Sequence, residues 1–437
     1  MDEEKMDVRS DTQGFAAPIL PENGDNLDAD FAPKLPFAAS GREMALAFFL
    51  YLPAYLYLQS AAWCFPVFCA LFCAMAEWFY RGTPRADESW FWPGCLAVTA
   101  LAATFGENRV WEGYTPLFTH AFAVYYVLCR SGRLLEGESG HLLPLDALFG
   151  LIVFPFKHLF LRIRTVSFAL THRKTGEDKH PAAWAAMAVG ALLALGLLAL
   201  AVRELSGADA AFDAWTQKLL GVFQWRLNEQ TLWNVLLSLP VGAYLFGLIA
   251  GTGREKIEAV RARGERVNAA LGSLRKVPVV VWTAALGVFA ALYLAFFSLQ
   301  AGYLFGAFVK MIPDGYTIAE YARQGFFSLC RVMAVNFALL WLVTRACVKP
   351  VRQEKTLLLL CAVLLCQSLV FAAIAASKLY LYISSYGFTP RRLQSAWLIA
   401  VLAAGTVCAL YSLVTGKKAV RYWMLFSAAT LMLLSLY

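Results

Sequence analysis

Long apolar runs, broken by short polar and basic loops, recur along almost the whole chain. Runs of about 18 residues or more can cross a bilayer as helices. In lipid every backbone amide must be satisfied within such a segment, which excludes isolated strands, and the period-two alternation of a membrane barrel is absent. The pattern predicts an all-α fold, a polytopic integral membrane helical bundle of about 11 transmembrane helices (10–12). The spans fall near residues 44–58, 61–79, 90–105, 115–129, 182–202, 231–250, 277–299, 325–348, 356–376, 396–414 and 421–437. Only Gln59 and Ser60 separate the first two, which predicts a tight helical hairpin. One further apolar segment, 142–163, carries Asp146, Lys157, His158 and two prolines. It either spans or lies in the interface as an amphipathic or re-entrant piece.

Composition agrees with this reading. Only 16% of the 437 residues are charged, and the mean hydropathy is +0.56. The net charge of +8 would suggest nucleic acid in a soluble protein. Here the basic residues sit in short loops, which is the positive-inside orientation signal, so no nucleic-acid partner is expected. If 142–163 does not span, the presumed inner loops hold 24 Lys/Arg against 9 in the opposite loops. The N-terminus is then cytoplasmic and the C-terminus outside. Residues 1–42 are acidic and polar and read as a disordered cytoplasmic tail; with no basic n-region, no cleavable signal peptide is expected. The membrane domain is 43–437, with a basic cytoplasmic loop at 252–276 and outer polar loops at 301–324 and 377–395. The 252–276 loop has helical spacing and mixed charge. It suits anionic lipid headgroups, or a cytoplasmic protein partner docking on the basic loops.

Conventional reaction motifs are missing. The sequence holds no P-loop, no HExxH and no GxSxG. The ten cysteines form no CxxC and read as small buried hydrophobes. The five histidines make no metal cluster, and no metal, cofactor or catalytic residue is assigned. His120 is the histidine well inside a span and reads as structural. Glu77 and Asp146 read as isolated carboxylates near the interfaces rather than a proton relay.

Candidate chemistry concentrates in two outer stretches. Thr317 and Glu320 form a T-x-x-E capping box that starts a helix at Ile318. Asp314, Tyr321 and Arg323 flank that start. In the other stretch Lys378, Tyr382 and Tyr386 recur every fourth residue and share one helix face. Gly387 ends that helix, Thr389 stands at the next N-cap, and Pro390 takes the first helical position. Arg391 and Arg392 then oppose the helix macrodipole, a cost that an anion would offset. Together these residues predict an outer anion site: Lys378, Tyr382, Tyr386, Thr389, Arg391, Arg392, Asp314, Glu320, Tyr321 and Arg323. Arg331 enters the apolar part of its span, where it snorkels or meets a carboxylate. Asn336 and Gln367 fall near mid-depth on consecutive helices. They either bond to each other as structural glue or line a substrate path.

The stretches YARQGFFSLCRVMAVN and SKLYLYISSYGFTPRRLQSAW carry a likeness. Tyr321, Gly325, Phe326, Phe327, Leu329 and Asn336, with Tyr382, Ile383, Tyr386, Gly387, Thr389 and Arg392, match a family signature. The chain resembles a bacterial multi-pass membrane family catalogued as a domain of unknown function (DUF4153/DUF4173 type). The detailed match covers about the last third of the chain, and members often carry Arg and Met where this chain has Leu379 and Tyr380. The resemblance implies a bacterial plasma (inner) membrane protein and no particular activity. The number of spans favours a transporter or permease-like protein for an anionic or lipid-like envelope compound. The alternative is a sensor, regulator or scaffold that binds an anionic envelope component outside and a partner inside. A membrane-embedded transferase is the third reading.

Overall fold

The computed structural model describes residues 37–59, 61, 63–106, 110–111, 113–172, 201–202, 205–207, 209, 212, 216, 229–299 and 317–436, and the side chains of 322–324 lie outside it. Among these residues the fold is helical, and β structure is limited to one bridge between Val277 and Cys347. The helices are α1 (Gly41–Phe49), α2 (Tyr51–Tyr57), α3 (Cys64–Phe79), α4 (Phe91–Phe105) and α5 (Thr115–Ser131). Next come α6 (Leu143–Lys157, with a π turn at Phe149–Val153) and α7 (Leu161–His172). Helix α8 (Glu229–Phe246) continues through a second π turn, Gly247–Gly251, to Arg254. The rest are α9 (Ile257–Gly272), α10 (Val279–Leu299), α11 (Ile318–Ala346), α12 (Lys355–Tyr386), α13 (Pro390–Thr415) and α14 (Val420–Ser435).

Five of these, α8 and α10 to α13, are long and apolar enough to cross a membrane, or six if α6 and α7, bent by 43°, count as one span. The count of eleven is not reached on length among the described residues. Helices α3 and α14 have 16 residues each, about 24 Å, short of about 30 Å of hydrocarbon. The first expected span divides into α1 and α2 because Pro53 has no N–H to give the Phe49 carbonyl. The span expected at 182–202 lies outside the described residues apart from its last two. The tail boundary also moves: Ser40 and Glu43 cap each other reciprocally, so the helix begins at Gly41 rather than after residue 42.

Among the described residues, one end of the bundle, the charged end, gathers most of the ion pairs. Arg130, 2% exposed, donates from Nε to Glu77 Oε2 at 2.7 Å and from Nη2 to the Tyr80 carbonyl at 2.8 Å. Tyr126 donates to the other Glu77 oxygen at 2.9 Å. Arg133 donates to the carbonyls of Ser131, Gly253 and Glu255 at 2.6–2.8 Å. Glu43, besides capping α1, accepts from Arg254 Nε at 2.6 Å. Arg421 stands 3.5 Å from Glu88, and Lys418 3.3 Å from Glu136 and Glu138. Glu77 is therefore not an isolated carboxylate. Nor is Asp146: it is 1% exposed, and its Oδ1 accepts the Leu135 N–H at 2.8 Å.

The same network bears on the 142–163 segment. Asp146 near its start is bonded to Leu135, and Lys157 and His158 at its end are bonded to Glu255. Glu255 in turn sits on Arg133 through its carbonyl. Both ends of α6 are thus tied into this network, and with α7 it forms either a broken span or a re-entrant piece. Helix α9 also belongs to the fold. Its Gly264 is pressed against the Leu135 carbonyl so closely that a Cβ would collide, and His141 bonds Asn268 at 2.8 Å.

The second half has its own core, formed where Leu286, Phe326, Met333, Leu357, Leu364 and Phe371 bring α10, α11 and α12 together. At the end of the bundle away from the charge, Gln394 of α13 donates to the Val110 carbonyl and Trp397 meets Trp111 edge-on at 5.3 Å.

Two outcomes follow. Arg130→Met leaves Glu77 with Tyr126 and the more distant Arg85, frees the Tyr80 and Thr83 carbonyls, and costs roughly 1–3 kcal/mol. It should lower the unfolding midpoint in detergent far more than Lys417→Met at an exposed position. For Glu255, burial pushes the carboxyl up, but the hydrogen bonds from Lys157 and His158 and the charges of Lys157 and Arg263 outweigh it, leaving it below its ordinary value of 4.5. That stabilisation is complete above the ordinary value and is lost as pH falls through the lower folded one. The gap in unfolding temperature between the wild type and Glu255→Gln should hold at neutral pH and close only in acid.

Candidate functional site

The residues of the predicted site lie where α11, α12 and α13 meet. The capping box starts α11 at Ile318, as the sequence predicts: Thr317 Oγ1 accepts from the Glu320 N–H at 3.3 Å and Glu320 reaches back to the Thr317 N–H at 3.2 Å. Helix α11 has 29 residues and α12 has 32. Both exceed about 20 residues, which span about 30 Å of hydrocarbon. Counted from the charged end, that thickness is used up near Phe326 on α11 and Ala375 on α12. The remaining turns project beyond it, and Gly325 and Lys378 stand at the boundary on neighbouring helices.

There they touch. The Lys378 amine lies over the Tyr321 ring, 4.0 Å from its centroid. It fills the space above Gly325, where a Cβ would collide with it. No hydrogen bond or ion pair holds this amine among the described residues. Tyr382 and Tyr386 lie one turn and two turns further out with their rings 5.3 Å apart. Arg392 stacks over Tyr382 at 4.2 Å. Of the residues the sequence reasoning placed on one side, Lys378 meets Tyr321, and Tyr382, Tyr386 and Arg392 form a second group. Glu320 is exposed and serves its own helix cap. Asp314 and the Arg323 side chain lie outside the described residues.

Arg392 acts differently from the expectation. Its Nη1 donates to the Tyr386 carbonyl at 2.7 Å and also to that of Gly387. These are the last carbonyls of α12, whose chain turns away at Gly387 with φ +75°. A cation at a helix C-terminus is favourable. Arg392 therefore opposes the dipole of α13 while completing that of α12, and an external anion is not needed to offset it. Thr389 occupies the N-cap position with Pro390 behind it, but its side chain makes no capping bond. Arg391 is exposed.

A second cation lies deeper. Arg331 is six residues inward from Gly325, about 9 Å. It lines an open groove of about 530 Å³ between α11 and α13 with Phe327, Cys330, Ala334, Leu398 and Leu402. Its hydrogen bond is to Ser328 at 3.4 Å, and no carboxylate pairs with it among the described residues.

The two midplane amides do not bond to each other. Asn336, 1% exposed, accepts from Tyr293 at 2.7 Å and donates to Ser368 at 2.7 Å. Gln367 donates to the Ala290 carbonyl at 3.0 Å. Each amide locks α10 into the bundle, Asn336 through Tyr293 and Gln367 directly. Their spacing in sequence gave their depth but not the third helix that takes the bonds. No cluster of His, Cys, Asp or Glu able to hold a metal is present among the described residues. The ten cysteines are unpaired; most are buried, and Cys366 is exposed.

Asn336 is buried and packed between helices, so a lone thiol there is inaccessible. Asn336→Cys in a cysteine-free background should resist a small membrane-impermeant thiol reagent in the folded protein. Labelling at a rate near that of an exposed control would mean water at mid-depth.

No curated protein and no solved structure matches this chain. A family model, described as a domain of unknown function (DUF4153), matches residues 47–437. With the bundle, the Tyr321–Gly325–Lys378 contact and the Gly387 turn all inside that match, the chain belongs to the DUF4153 family.

Proposed function

We propose that this protein binds an anionic, lipid-like envelope compound at the outer rim of the α11–α12–α13 group. The observation that carries the reading is Lys378. A lysine ammonium at the hydrocarbon boundary, packed on Tyr321 and Gly325 without a carboxylate, is an unmatched charge in a low-dielectric place. A phosphate or carboxylate headgroup supplies the match, and the tyrosines suit the interfacial level. Arg331 adds a second unmatched cation, beside a largely apolar groove of about 530 Å³.

In this reading the charged end faces the cytoplasm of a bacterial inner membrane, in accord with its basic loops. The basic loops there remain the candidate surface for a cytoplasmic partner. Permeation is the weaker alternative, because the amides that would line a path are engaged in helix packing. Binding, as a sensor or scaffold, needs no such path.

The test uses the full chain in nanodiscs with a fluorescent phosphatidylglycerol probe and its phosphatidylcholine counterpart. Phosphatidylglycerol should bind more tightly. Lys378→Gln should weaken it roughly fivefold, the equivalent of about 1 kcal/mol per basic residue near a membrane surface. Equal binding of the two lipids, or an unaffected Lys378→Gln variant with native unfolding behaviour, sinks the reading.

A further inference from the structure

A separate cavity opens in the first half of the chain, among α2, α3, α5, α6 and α8. It has a volume of about 350 Å³ and is lined by Tyr57, Phe68, His120, Phe156, Tyr244 and Leu248 among others. That falls within the size range of small-molecule sites, about 300–1,000 Å³. No ionised Asp, Glu, Lys or Arg lines it. Its walls are apolar except around one polar pair.

That pair has a defined direction. Tyr244 Oη lies 2.9 Å from the Leu151 carbonyl and 2.9 Å from His120 Nε2. A carbonyl only accepts, so the single phenolic hydrogen goes to Leu151. The hydrogen between Tyr244 and His120 must then come from Nε2. This fixes the imidazole tautomer and leaves Nδ1 as an acceptor with no bond among the described residues. The other nearby hydroxyl, Thr119, is spent on the Thr115 carbonyl at 2.8 Å.

Two π turns frame the same cavity. Leu151 belongs to the one at Phe149–Val153, and Leu248 to the one at Gly247–Gly251. The helices carrying them cross at glycine: a Cβ at Gly247 would strike Pro155, and one at Gly251 would strike His158. Such turns are uncommon and concentrate at functional sites. Here they hold α6 and α8 close on one side and leave a gap on the other.

We propose that this cavity is a binding site for an uncharged single-chain amphiphile bearing a hydroxyl group, such as a long-chain alcohol. The hydroxyl donates to His120 Nδ1 and the chain fills the space between Phe68, Phe156 and Leu248. A carboxylate or phosphate is disfavoured, because the site offers no cation and charge in this surrounding is costly. The site lies on helices other than those of the anionic-lipid reading and stands or falls without it.

The test is photolabelling of the full chain in nanodiscs with a clickable diazirine analogue of hexadecanol. The matched alkane and the matched fatty acid serve as comparisons, and labelled peptides are mapped by mass spectrometry. The alcohol should label α5, α6 and α8 at least about fivefold over either comparison. Leu248→Trp, which fills the cavity, should abolish that labelling. His120→Phe, which keeps an aromatic ring without the acceptor, should reduce the alcohol to the level of the alkane while the protein stays folded. Equal labelling by alcohol and alkane in the wild type means bulk-lipid contact only and overturns the proposal. So does alcohol labelling that survives both substitutions.

Discussion

A helix that ends at a membrane boundary leaves its last carbonyls without intrahelical partners, and this chain answers that constraint mainly with arginine. Arg42 and Arg130 hold the carbonyls that follow α3, and Arg133 holds those at the end of α8. Arg352 holds the Val414 carbonyl at the end of α13, and Arg392 those at the end of α12. Guanidinium suits this task because it presents several donors in a fixed fork and stays charged. Apart from that of Arg392, which reaches back six residues, each bond also joins two segments distant in sequence. Arginines of the basic loops are therefore also what clamps several helix ends together.

That use of charge divides the polar residues of the protein into two kinds. At the charged end the acids are consumed: Glu77 by Arg130 and Tyr126, Glu43 by Arg254, Glu255 by Lys157, His158 and Arg263. At mid-depth the amides are consumed by neighbouring helices. In the second half, Lys378 and Arg331 meet aromatic or apolar surfaces and no acid among the described residues. An unmatched cation in that position favours recognition of an anion far more than it favours folding.

The two π turns show the same economy in the backbone. A π turn gives up regular hydrogen bonding locally, and Tyr244 makes use of the Leu151 carbonyl in one of them. Through that bond the orientation of His120 is set from a helix more than a hundred residues away in sequence. The cavity is a consequence of how α6 and α8 cross, and the glycines at the crossing make the approach possible.

The helical class, the basic end, the capping box at Thr317, the turn at Gly387 and the shared face of Lys378, Tyr382 and Tyr386 were legible from the sequence. They depend on composition, on periodicity and on bonds spanning a few residues. The S-x-x-E box at Ser40 was equally legible but lay just outside the boundary drawn from composition. Partners could not be read in this way. Nothing local joins Arg130 to Glu77, Asn336 to Tyr293, or His120 to Tyr244. Nor does local pattern reveal that Arg392 completes the helix before its own. A residue's type and register fix the depth and the face at which its polar group must be satisfied. Which group satisfies it depends on which helices become neighbours, and only the tertiary structure decided that.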